Sequence, residues 1–134
     1  MKKEWKMAYI DAKDVAAIRK ELKKVFPEFK FGVRKNDTYN VRVTVQRGPI
    51  DFSKIIKSYG YTNINPYHTG MYGEHSKFFD KVIEVIKTAP AAGNGYNSGR
   101  GWYDNSDARV DYFDTAYYMS INVGDWNKPY THVK

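Results

Sequence analysis

Apolar residues fall at every second position in two neighbouring stretches of the chain, Phe29-Lys30-Phe31-Gly32-Val33-Arg34 and Tyr39-Asn40-Val41-Arg42-Val43-Thr44-Val45. A period of two marks a strand with one face in a core and the other in water. Lys35-Asn36-Asp37-Thr38 between them has turn chemistry, so the pair predicts an antiparallel hairpin. Its inward face is expected to hold Phe29, Phe31, Val33, Tyr39, Val41, Val43 and Val45. Its outward face carries Lys30, Arg34 and Arg42, with Thr44 and Gln46 beside them. A third alternation, Tyr117 to Val123, predicts another strand with Met119 and Ile121 on one side and Tyr118 on the other.

Elsewhere the period lengthens. Val15, Ile18, Leu22 and Val25 recur at helical spacing, with Asp11 or Asp14 placed to cap the start and Pro27 just beyond Phe26 as a stop. Asp51 predicts the cap of a short helix to Tyr59, with Phe52, Ile55 and Ile56 inward and Gly60 at its end. Tyr61 to Gly73 shows no period and reads as a long connection. Ser76 opens a further helix whose stripe is Phe79, Val82, Ile83 and Ile86, and Pro90 ends it. Ala91 to Gly101 reads as a flexible Gly/Asn loop or a wide turn, and Arg109 to Phe113 as a short strand or irregular segment. The order predicts one α+β domain over residues 1–134, a small antiparallel sheet packed on one face by about three helices.

Composition narrows the chemistry. The chain has no cysteine, which excludes disulfides, thiolate zinc sites and a cysteine nucleophile. No apolar run reaches the roughly 20 residues of a membrane span, and the basic start is not followed by a signal-peptide core. The expectation is a soluble cytoplasmic protein without a membrane partner. Residues 1–60 hold 15 Lys and Arg against 7 Asp and Glu, whereas residues 61–134 hold 7 against 8. That asymmetry points the first half at a polyanion or an acidic protein. For Arg19, Lys20, Lys23 and Lys24 alone a solvated helix face is the better account; Lys30, Arg34 and Arg42 of the sheet bring the two readings level.

Candidate chemistry is sparse. His68 and His75 flank Glu74, but their spacing does not match the i, i+4 pair of a helical zinc site. Asp104, Asp107, Asp111 and Asp114 could converge on a hard cation, yet their Asn, Ser and aromatic neighbours favour turns in which Asp accepts backbone amides. Four glycines between Gly93 and Gly101 lack the Gly-Lys-Ser/Thr of a phosphate loop, and no Gly-x-Ser-x-Gly occurs. No reaction, cofactor or metal is therefore assigned. What remains is a basic and aromatic set. Lys30, Arg34, Arg42 and Arg47 would neutralise phosphates, and Tyr118 and Trp126 would stack bases. The expected partner is DNA or RNA; the alternative is a protein bound through an aromatic and acidic surface.

Two stretches carry a resemblance. Asp14-Val15-Ala16 through Ile18-Arg19-Lys20-Glu21-Leu22-Lys23-Lys24 to Phe26-Pro27, then Lys30-Phe31-Gly32-Val33-Arg34, Val41-Arg42-Val43 and Gly48-Pro49, resemble the large polyvalent protein-associated domains of phages, plasmids and conjugative elements. The later Tyr103-Asp104-Asn105-Ser106-Asp107, Asp111-Tyr112-Phe113-Asp114 and Asp125-Trp126-Asn127-Lys128-Pro129-Tyr130 are similar more loosely. The resemblance covers residues 11–52 well and 102–130 loosely. It implies a small α+β domain carried by mobile DNA. On that footing the nucleic-acid binder would be an accessory protein of the element, and the protein-binding alternative would block a host defence component. The resemblance supplies no catalytic residues.

Overall fold

The computed structural model describes residues 8–56, 58–107, 109 and 114–133. Helix α1 spans Ala12–Val25 and starts from a reciprocal box. The Asp11 carboxylate accepts the Asp14 amide at 2.9 Å, and the Asp14 carboxylate accepts the Asp11 amide at 3.2 Å. Two of the amides left free at a helix start are thereby satisfied. Val15, Ile18 and Leu22 are buried along one face.

The hairpin forms as its pattern requires. Strand β1 (Lys30–Lys35) pairs antiparallel with β2 (Asn40–Gly48), and Val33 lies opposite Val43. Asp37 takes a left-handed φ of 73° in the turn, a conformation Asp tolerates, and its carboxylate accepts the Thr38 amide. Arg19 of α1 donates to the Val33 carbonyl at 2.6 Å, so the helix covers part of the outer edge of β1. Tyr39, expected inward, is 44% exposed, because the strand begins only at Asn40 and the ring leans edge-on against Tyr118 instead.

After β2 the chain departs from expectation. No helix is formed over the described residues between Asp51 and Tyr59. Asp51 instead accepts the Ser53 amide at 2.9 Å in a local turn, and Phe52 alone is driven fully into the core. The long connection contains a short strand, β3 (Thr62–Ile64), and a 3₁₀ segment (Thr69–His75) leading into α2 (Ser76–Thr88). Phe79, Val82, Ile83 and Ile86 of α2 are buried as their spacing predicts. The described helical elements are thus two α-helices and two 3₁₀ segments, the second at Pro90–Ala92, not three α-helices.

The sheet is mixed. Strand β4 (Tyr118–Val123) inserts between β2 and β3, giving the order β1-β2-β4-β3, with the two-residue β5 (Thr131–His132) also on β2. It runs parallel to β2 and antiparallel to β3. Alternation alone carries no strand direction, and α2 supplies the crossover that a parallel pair demands. Val33, Val43, Val45, Ile64, Met119, Ile121 and Val123 form the apolar face of the sheet in one cluster with Ile18, Leu22, Phe79 and Ile86 of the helices. Tyr117 is 1% exposed, and its hydroxyl donates to the Ile86 carbonyl. Burial and the nearby Asp14 carboxylate push that hydroxyl far above its ordinary value.

The glycine-rich segment after α2 is not a loose loop. The Asn97 amide donates to Asp14 at 3.1 Å and its side-chain nitrogen to Asp14 at 2.8 Å and to the Tyr9 carbonyl at 2.9 Å. The Tyr96 amide donates to Asp11 at 3.0 Å. Asp14 is 0% and Asn97 2% exposed, so the segment is clasped to the start of α1. Gly95 allows it: a Cβ there would lie 2.5 Å from the carboxylate oxygens of both Asp11 and Asp14.

Candidate nucleic-acid interface

Period-two alternation assigns the other sheet face. Across the strands it reads Arg34 opposite Arg42 opposite Ser120, Thr44 opposite Asn122 opposite Asn63, and Asn40 opposite Tyr118. Lys30 lies opposite Arg47 beyond a register shift between Lys30 and Phe31. Both helices contribute their buried apolar residues to the opposite face. The polar face is therefore left without a helix over it.

Two arginines directly opposed on one face repel each other. Arg42 relieves this by turning across the sheet, where its Nη2 meets the Asp125 carboxylate at 3.2 Å. With its amide oriented to satisfy its neighbours, Asn122 accepts from the same Nη2 at 2.6 Å and donates to Asn63 Oδ1 and the Ile121 carbonyl. Asn40 donates to the Ser120 hydroxyl at 3.0 Å. The network is not saturated: Arg42 Nε and Asn40 Oδ1 are buried without a hydrogen-bond partner. A shallow depression of about 340 Å³ opens over it, lined by Asn36, Arg42, Asn63, Pro66, Ser120 and Asn122.

The aromatic candidates lie at the rims of this face. Tyr118 is half-buried, with its ring centroid 6.1 Å from that of Tyr39. Burial, then the charge of Asp104 and the nearby Tyr118, raises the Tyr67 hydroxyl above its ordinary value. Trp126 is 75% exposed and follows Asp125, whose carboxylate accepts the Trp126 amide at 2.8 Å as well as Arg42. The Arg42–Asp125 pair thus moors the tryptophan turn to the sheet face. Gly124 makes the turn, with φ 73° and a would-be Cβ 2.7 Å from the Tyr130 amide. Lys30, Arg34 and Arg47 are exposed, and among the described residues no ion pair engages them.

The other candidates separate. Asp104 accepts the Ser106 amide and the Thr115 hydroxyl, both at 3.0 Å, and hydrogen bonds from Ser106 hold its carboxyl low. Asp107 accepts the Arg109 amide and guanidinium, which hold it low as well. Asp114 is buried, and Asp111 lies outside the described residues, as does most of Arg109 to Phe113. His75 packs on Phe52 with ring centroids 5.0 Å apart, and His132 sits 3.1 Å from the Pro49 carbonyl. Among the described residues no three His, Asp or Glu are grouped to hold a metal ion. The Asp11–Asp14–Asn97 clasp went unread in the sequence: the Asp-x-x-Asp spacing was visible, but its partner is 83 residues away.

A mixed sheet with helices on one face and a polar face on the other defines a small domain of mixed α and β structure. The chain belongs to the family of large polyvalent protein associated domain 29, which matches residues 10–91. That match runs through the middle of the chain, where the resemblance was silent, and stops short of residues 102–130. No significant match was found among curated proteins or among solved structures. Among the described residues no helix is long and apolar enough to cross a membrane.

Proposed function

We propose that the protein is a non-enzymatic accessory factor of a mobile element that binds DNA or RNA on the polar face of its sheet. The observation that carries this reading is the charge on the polar face, where Arg34 and Arg42 stand in register and Arg34 is exposed. Lys30 and Arg47 extend the positive charge to the end of the hairpin, and Tyr118 and Trp126 offer rings at the rims. Phosphate contacts of this kind give affinity with strong salt dependence and little base readout. Arg42 contributes less than its neighbours, because Asp125 already offsets its charge.

The test is fluorescence anisotropy of labelled single- and double-stranded DNA and RNA at low and near-physiological salt. The exposed triple variant Lys30→Ala, Arg34→Ala, Arg47→Ala spares the Arg42 pair and so leaves the fold intact. Binding that weakens steeply with salt and collapses in this variant supports the reading. Absence of binding at low salt overturns it. That outcome would favour the second reading, a module that blocks a host defence component. For that reading Tyr67, 55% exposed and near Asp104, is the surface to test.

A further inference from the structure

A second cleft lies away from the sheet face, between α1 and the end of α2. It encloses about 750 Å³. One wall is a single face of α1, with Lys13, Ala16, Ala17, Lys20 and Lys24 at intervals of three, one, three and four. The other wall is Thr88, Ala89, Ala92, Gly93 and Asn94, held in place by the clasp that follows. We propose that this groove receives an acidic amphipathic helix of a partner protein.

Three observations carry the proposal. The floor between the walls is alanine and glycine, and small side chains are what let a second helix come close enough to pack its own apolar residues. Along the α1 wall, Lys13 and Lys20 are separated by about 10.5 Å and Lys20 and Lys24 by about 6 Å, at 1.5 Å per residue. Carboxylates at the same seven- and four-residue spacing on an incoming helix would meet all three. The lysines are exposed, and among the described residues none is in an ion pair. Glu21 is the one acidic residue on the lining, so the groove is net positive.

A nucleic acid fits the groove less well than a helix does. The lining holds no aromatic ring on which a base could stack, and its polar side chains apart from the lysines and Glu21 are only Thr88 and Asn94. Helix-in-groove recognition, by contrast, uses an apolar floor with charged flanks. The second face of α1 is thereby given a role independent of the sheet.

The probe is a labelled, end-capped helical peptide of about 18 residues, with leucines on one face and flanking glutamates at the seven- and four-residue spacing. Amide shift mapping on the intact protein reads where it binds, and anisotropy reads how tightly. Expected is binding at low salt, with shifts confined to residues 13–24 and 88–94. Affinity should fall at least about tenfold, or about 1.4 kcal/mol, in Lys20→Glu/Lys24→Glu and in Ala16→Trp, which fills the groove from an exposed position. The variant Lys30→Ala, Arg34→Ala, Arg47→Ala should bind the peptide as the parent does. Thermal unfolding of each variant separates loss of binding from loss of fold. No binding at low salt, or binding indifferent to Ala16→Trp, overturns the proposal. So does an oligonucleotide that produces the same shifts and loses them in Ala16→Trp, or a dimer that the same substitution abolishes.

Discussion

Two polar networks in this molecule use nearly the same residue types and do opposite things. At the start of α1, the buried Asp14 carboxylate accepts from the Asp11 amide and from both nitrogens of Asn97. Asn97 in turn gives its remaining side-chain hydrogen bond to the Tyr9 carbonyl and accepts from Arg100 at 3.3 Å. On the sheet face, Arg42, Asn122, Asn63 and Asp125 form a comparable web, but Arg42 Nε and Asn40 Oδ1 are left over. A saturated network closes a structure, because every donor it orders has been matched. The sheet-face web instead leaves two buried polar atoms unmatched, each of which costs stability. That difference separates the device that holds the chain together from the web on the sheet face.

Removing the centre of the saturated network should have the largest effect. Asp14→Ala leaves the Asp11 amide and two Asn97 donors without an acceptor, and is expected to cost about 3–5 kcal/mol in urea unfolding. A cost below about 1 kcal/mol would erase the contrast between the networks. Gly95→Ala drives a methyl into both carboxylates and the Asp14 amide, with an expected loss of about 1–3 kcal/mol. On the sheet face, Arg42→Ala removes one partly buried ion pair and should cost only about 1 kcal/mol. Its clearer signature is a change in Trp126 fluorescence as the turn loses its mooring, read in a variant whose other tryptophans, Trp5 and Trp102, are replaced by Phe.

Acid sharpens the comparison from the other side. Burial works to raise the Asp11 carboxyl, but the amides of Asp14 and Tyr96 together outweigh it and hold the group below its ordinary value. A depressed folded value contributes stability that is fully present above about pH 4 and is lost as pH falls through the lowered value. Protection of the Tyr96 amide from exchange, relative to its intrinsic rate at each pH, should therefore fall below about pH 4 before that of α2 does. The smallest effect on stability belongs to Lys30→Ala, Arg34→Ala, Arg47→Ala, within about 0.5 kcal/mol of the parent. Its nucleic-acid affinity should nevertheless drop, with a salt slope shallower by about 0.9 for each phosphate contact removed.

What the sequence disclosed follows from the range over which each signal acts. The hairpin and both α-helices were legible because their apolar periods are local and long enough to be distinct. The outward placement of Arg34 came with the same period. The direction of β4 was not legible, since alternation is identical read either way. Phe52, Ile55 and Ile56 mimic a helical stripe over too few residues, and Asp51 capped a turn instead. The glycines of 93–101 signalled freedom, but Gly95 serves close approach and Asn97 is a buried anchor. Among the candidate interface residues, Lys30 and Arg47 stand out by charge, whereas the Arg42–Asp125 pair, 83 residues apart, has no trace in composition or spacing.

The position of β4 also bears on how this protein comes into being. The strand that joins β3 to the hairpin is residues 118–123, downstream of everything the family match covers. A ribosome delivers β1, β2 and β3 long before it delivers their connector. Until then β2 offers an open edge and β3 has no neighbour to pair with, the condition in which nascent strands recruit the wrong partner. The keystone of the sheet thus arrives late in synthesis, and any slowing of translation before residue 118 prolongs the interval of greatest exposure.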